Sequence, residues 1–224
     1  MLELLAAAAI ELPRPTLNTA KALVRRVPHI NEGESTAVQV SLFVGPNGRV
    51  IECTLLRAGG TDRIADALCE EAIGVKVKPG RDERSEKTHA LFSTILSAFA
   101  DGEGALREPL TNLLTATPLP AVLFLELQKM PEAVAEKPRI AVRVRVDEAG
   151  SVVACQPGDE DRPKISDVAC SQAKLQTFDV KRAKKGTAVS YIRSVIIDFK
   201  LEGLSLHPAE AHFVKDFLVC YTSS

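Results

Sequence analysis

Tryptophan is absent from this 224-residue chain, and aromatic residues make up only 4% of it. That scarcity argues against the rows of stacking rings that hold single-stranded nucleic acid. Charge of one sign is lacking too. The formal net charge is −1, so no global field draws the chain to nucleic acid or to anionic membranes. No run reaches the ~18–20 apolar residues of a membrane-spanning helix, so no transmembrane anchor is expected in this chain. There is no Cys-x-x-Cys for thioredoxin-like redox chemistry, and no Gly-x-Ser-x-Gly turn to expose a nucleophilic serine. His29, His89, His207 and His212 are scattered, and the spacing of the last two keeps them off one helical face. No metal, no cofactor and no enzymatic centre is therefore expected.

What is present is an ordinary globular composition, 46% apolar and 25% charged, in a length that suits one large domain or two small ones. The opening "MLELLAAAAIELP" has an apolar run but no basic start. It reads either as the remnant of a secretory signal or as a frayed N-terminal helix.

An internal repeat organises the rest. "VQVSLFVGPNGRVIEC" (38–53) matches "IAVRVRVDEAGSVVAC" (140–155) without a gap, so that Val38, Val40, Leu42 and Val44 correspond to Ile140, Val142, Val144 and Val146. One residue is lost before the next cysteine and a second later, after which "HALFSTILSAF" (89–99) matches "VSYIRSVIIDF" (189–199). Apolar-Pro pairs, Val27-Pro28 and Met130-Pro131, precede both copies. Alternating apolar residues mark the first strand of each copy, and "GPNGR" and "DEAGS" read as hairpin turns. A helix follows, with Ile64, Leu68 and Ile73 on one face, or Ile165, Val168, Ala169 and Ala173. Thr61 or Asp62, and Asp161, are available as its N-caps. The expected fold is α+β: two tandem small β-β-α-β units, each an antiparallel sheet with one helix packed on it. Unit 1 spans 21–101 and unit 2 spans 130–202, with an N-terminal segment 1–20, a linker 102–129 and a tail helix in 203–224, after Pro208.

Both copies carry a cysteine on the second strand and another on the helix, Cys53 and Cys69 (16 apart), Cys155 and Cys170 (15 apart). Helix-on-sheet packing can bring such pairs within the ~4.4–6.8 Å between Cα atoms that a disulfide needs. Closing a loop of that length contributes roughly 3 kcal/mol in a unit too small for a large core. The alternative is four buried free thiols acting as small hydrophobes. Repetition of both positions favours the bridges, which imply an oxidising compartment such as a bacterial periplasm. Cys220 has no partner in this scheme.

In order along the chain, these motifs resemble the C-terminal domain of TonB. In the first copy Gly48, Val50, Cys53, Asp66 and Cys69 fit the pattern, and Gly59-Gly60 stands in place of a Ser-Ser-Gly turn. The second copy keeps Gly150, Val152, Cys155, Asp167 and Cys170 but has lost the turn motif. The resemblance covers roughly two thirds of the chain. It implies non-enzymatic protein binding in the periplasm: an extended segment, such as one from a TonB-dependent outer-membrane receptor, adds a strand beside the last strand of a unit. The expected partner-binding edges are Leu91, Ser93, Ile95 and Ser97 in unit 1, with Tyr191, Arg193, Val195 and Ile197 in unit 2. The chain shows neither the membrane helix nor the Pro-rich spacer of a TonB energy transducer, so a two-domain relative is expected. The competing expectation is a structural or spacer module of an envelope assembly.

"VKRAKKG" places Lys181, Arg182, Lys184 and Lys185 before the last strand of unit 2, either a contact for anionic surfaces or a solvated loop. The cysteine scheme has a direct check. Alkylating thiols in intact host cells before lysis should block only Cys220 and leave Cys53–Cys69 and Cys155–Cys170 linked. Five blocked thiols would mean that the bridges do not form.

Overall fold

A computed structural model describes residues 9–16, 19, 23, 35–60, 62–100, 106–107, 123–127, 139–158, 163–183 and 186–201. The apolar-Pro pairs, the caps Thr61 and Asp161, most of the linker, Lys184, Lys185 and the tail with Pro208 and Cys220 lie outside the described residues, as do His29, His207 and His212.

The chain is mixed α+β, with a mostly antiparallel sheet and, among the described elements, two helices. In order the elements are β1 (Ser35–Val44), β2 (Val50–Gly60), α1 (Asp62–Ala72), β3 (Gly80–Arg81), β4 (Lys87–Ala100) and β5 (Leu106–Arg107). Then follow β6 (Leu123–Leu127), β7 (Arg139–Val146), β8 (Val152–Pro157), α2 (Pro163–Ala173) and β9 (Tyr191–Leu201). The main path across the sheet is β2-β1-β4-β9-β7-β8, with β3 and β5 attached to β4 and β6 to β9. Two separate sheets were expected. A single sheet is observed, because β4 and β9 pair in parallel, His89 with Tyr191, Ala90 with Ile192 and Leu91 with Arg193.

Local chemistry explains the hairpins. Gly48 N–H donates to Gly45 C=O (2.9 Å) and Gly150 N–H to Asp147 C=O (3.1 Å), each glycine lying in the left-handed region at φ 77° and 88°. This is a tight turn closed by a left-handed residue, a loop that suits the right-handed twist of paired strands. Pro46 sets the first turn. In the second, the Asp147 carboxylate accepts N–H bonds from Ala149 (3.0 Å) and Ser151 (2.8 Å). The glycines are needed for space as well. A Cβ on Gly48 would lie 2.3 Å from Val77 O, and one on Gly150 would lie 2.3 Å from Phe178 O. Those carbonyls come close because Val77 and Phe178 N–H each donate to the glycine carbonyl at 2.8 Å. One residue past each turn the returning strand bulges, since Val44 pairs with Val50 but Phe43 with Glu52, and Val146 with Val152 but Arg145 with Ala154.

The last strands match differently from the sequence alignment. Val44 faces Ala90, and Val146 faces Tyr191. Ala90 therefore corresponds to Tyr191, and no second deletion precedes β9. A one-residue slip exchanges the faces of a strand, so the expected match of Tyr191 with Leu91 reversed every side chain.

The two helices lie on opposite faces. On one, Val38, Val40, Leu42 and Val44 pack with Leu68, Cys69 and Ala72 of α1. On the other, Val142, Val144 and Val146 pack with Ala169 and Ala173 of α2, joined by Phe43, Ile51 and Leu91 from the first half. Strands alternate sides, so Phe43 points away from the face that Leu42 and Val44 serve. The helical periodicity is shifted from expectation. Ile73 is 46% exposed at the flank of α1 and Val168 is 48% exposed on α2, where Ile165, Ala169 and Ala173 form the buried stripe.

Segments outside the repeat join the body. Residues 9–16 are extended, and Glu11 exchanges backbone bonds with Arg81, as Arg14 does with Lys78. Ile10 is fully buried against Ala90 and Ile192. The expected linker contributes β5 and β6, the latter because Leu123 and Leu125 alternate onto the α2-side core.

The turn geometry makes a definite prediction. Gly150→Ala should destabilise by more than the ~1–2 kcal/mol of a left-handed alanine, because the methyl group also meets a carbonyl. Urea unfolding of Gly150→Ala and Gly48→Ala should show comparable losses, whereas Gly74→Ala, with open space around its Cβ, should lose only the backbone part.

Candidate functional site

Cys53 of β2 is bonded to Cys69 of α1, and Cys155 of β8 to Cys170 of α2, with Cα separations of 5.5 and 5.6 Å. Both bridges tie an outermost strand of the sheet to the helix that covers it. On its outer side β2 is bonded only at its start, where Val50 N–H donates to Val75 C=O (3.0 Å) and Val50 C=O accepts from Gly74 N–H (2.8 Å), so farther along the bridge supplies a further restraint.

The residues expected at partner-binding edges occupy different ground. Leu91 and Ser93 lie on β4, and Tyr191, Arg193, Val195 and Ile197 on β9, in the middle of the sheet. β1 pairs with β4 from Phe99 to Ala90 on one side, including Ser93, Ile95 and Ser97. On β9, β7 occupies one side, while β4 and β6 share the other. Neither strand ends the main path among the described residues. The sequence shows strand pattern but not which strand neighbours which: the parallel pairing between halves takes up Leu91, Tyr191 and Arg193, β6 takes up Ile197, and Ser93, Ile95, Ser97 and Val195 have no described strand on their second side. Among the described residues β2 and β8 end the main path of strands, and β5 and β6 are each paired on one side only.

The basic loop is also partly engaged. Lys181 Nζ sits 3.2 Å from Glu52 Oε1 and 5.8 Å from the centre of the Phe43 ring. Arg182 donates to Gly186 C=O at 2.7 Å, closing its own hairpin as Arg81 does by donating to Ser85 C=O at 2.6 Å. Two of the four expected surface cations thus make contacts within the chain.

Lys181 belongs to a cluster where the halves meet. His89 stacks on Phe43 with ring centres 5.6 Å apart, and Tyr191 meets Phe43 edge-on at 6.2 Å. Tyr191 is fully buried and donates its hydroxyl to Asp179 C=O (2.9 Å); burial raises its pKa. Burial likewise holds His89 below the ordinary 6.5, since the apolar stack disfavours the cation. Nearby, Arg145 grips Glu83 with contacts of 2.6 to 3.0 Å, a two-pronged pair across the halves. Burial works to raise the Glu83 pKa, but the Arg145 hydrogen bonds and charge leave it lowered.

An open groove of about 280 Å³ runs between β2 and α1, lined by Cys53, Leu55, Asp66, Cys69, Glu70 and Ile73. Leu55 is 36% exposed and Ile73 46%. Sequence reasoning assigned Ile73 to the core and left Leu55 aside. The available signal was that Leu55 lies two residues beyond Cys53 on a strand and Ile73 four beyond Cys69, which sets both beside the bridge. Among the described residues no group of three metal-ligating side chains comes together, and no helix is long and apolar enough to cross a membrane.

Comparison of the chain with protein-family models, curated proteins and solved structures returned no match.

The His89 stack gives a pH dependence with a fixed sign. Its folded pKa lies below the unfolded value, so the unfolded chain takes up the proton first. The stabilisation is complete above pH ~6.5 and is lost as pH falls below it. Urea unfolding at pH 7.5 and 5.5 should show this loss, and His89→Phe, which keeps an aromatic stack without a proton site, should reduce it.

Proposed function

We propose that the chain is a non-enzymatic binding protein of the bacterial periplasm, built from two tandem β-β-α-β units that resemble the TonB C-terminal domain. It binds extended segments of partner proteins by strand addition, in the setting of TonB-linked transport, with a TonB-dependent outer-membrane receptor as the candidate partner. The disulfides are compatible with an extracytoplasmic location. One observation carries the reading: β2 and β8 end the main path of the sheet and each is bridged to a helix on its face, and beyond Val50, which bonds Val75 and Gly74, no described strand lies on the outer side of β2. A strand held in this way is a preformed template, so a partner need not order it on binding. The proposed edges are therefore β2 and β8, the disulfide-held strands at the ends of the main path, and the last strands of the units lie inside it.

A second reading, a rigid spacer, is favoured by the continuous pairing through β4 and β9 that makes one sheet of both halves. Hydrogen exchange with TonB-box-like peptides and scrambled controls separates the two. Saturable protection of β2 or β8 amides by the box peptides alone supports binding. An unchanged exchange pattern at every concentration would leave the spacer.

A further inference from the structure

The two outer edges are not equivalent, and the difference points to a partner chemistry. This inference rests on the strand-addition reading above and specifies its site. We infer that β2 is the working edge and that it takes a basic, alternately apolar extended segment.

Leu55 pairs with Val40 on the first side, and Pro157 pairs with Val142 on the second. Relative to the bridged helical cysteines, Glu70 and Ile73 of the first half stand where Ser171 and Lys174 stand in the second. Pro157 blocks its edge in a specific way. Gly158 N–H donates inward to Ala141 C=O at 2.9 Å, so alternation turns the Pro157 nitrogen outward, where it has no proton to offer an incoming strand. Lys174 adds an exposed cation on the same flank. Proline and lysine at an edge are the features that discourage strand addition.

On β2 the features point the other way. Leu55 and Ile73 offer apolar surface beside the Cys53–Cys69 bridge. A segment added one strand spacing away, about 4.8 Å, places alternate side chains over that surface. Asp66 and Glu70, one helical turn apart on α1, border the same groove. Two carboxylates beside an apolar floor select lysine or arginine at the positions facing α1, and repel an acidic strand.

The test uses the full oxidised chain and two fluorescein-labelled synthetic peptides of equal length, one alternating Lys and Val, the other Glu and Val. Anisotropy should show saturable binding of the Lys-Val peptide and far weaker binding of the Glu-Val peptide, with hydrogen-exchange protection confined to β2. The surface double substitution Asp66→Asn with Glu70→Gln should weaken binding roughly ten-fold without shifting the thermal midpoint appreciably. Equal binding of both peptides, or protection on β8 in place of β2, would overturn this assignment while leaving strand addition intact. Leu55-dependent dimers by light scattering, with no peptide uptake at β2, would assign the edge to a second copy and also overturn it. Failure of these peptides and of every box-like peptide to bind would remove strand addition itself.

Discussion

Three residue pairs between β4 and β9 determine how the two halves are joined. Because these strands run parallel, the halves are related by half a turn about an axis along the strands, and that rotation exchanges the faces of the sheet. The helices therefore cover opposite faces. The contact is closed on both sides by different means. On the α2 side Phe43, His89 and Tyr191 form an aromatic cluster over it, and on the other side Ile10 seals Ala90 and Ile192. Short parallel pairing is slightly weaker per residue than antiparallel pairing, so burial on both faces is what keeps the junction closed.

The same junction sets what remains accessible. Pairing β4 with β9 places the last strands of both halves inside the main path and leaves β2 and β8 at its ends among the described strands. The Arg145–Glu83 pair and the clamp on Ile10, whose carbonyl accepts a bond from Arg143 at 3.0 Å, also cross between halves. The disulfides act at the other extreme of the sheet. They restrain the two strands that end the main path across the sheet, and by the chain-entropy estimate each offsets roughly 3 kcal/mol of folding cost.

Several features were legible from residue types alone. "GPNGR" and "DEAGS" specify turns through proline, aspartate and a glycine that must be left-handed, and the alternation of Val38 to Val44 specifies a strand with one buried face. The cysteine spacing was readable because a strand and the helix packed on it bring the two positions together by local geometry. The register of β9 was not readable. Two alignments one residue apart score alike in an apolar strand, yet they place Tyr191 on different faces. Nor was the candidate site, since Leu55 and Ile73 look like core residues until the limits of α1 and the edge of the sheet are known.

By itself the sequence determined the local units: hairpins, the stapled strand and helix, and the mixed α+β class. Each depends on residues within a few tens of positions, whose conformational preferences and spacing act without reference to the rest of the chain. Tertiary structure alone decided which strands became neighbours, which faces the helices took and which edges stayed open. Those outcomes depend on non-local pairing, where Phe43, His89 and Tyr191 meet across more than a hundred residues and no local pattern records the choice.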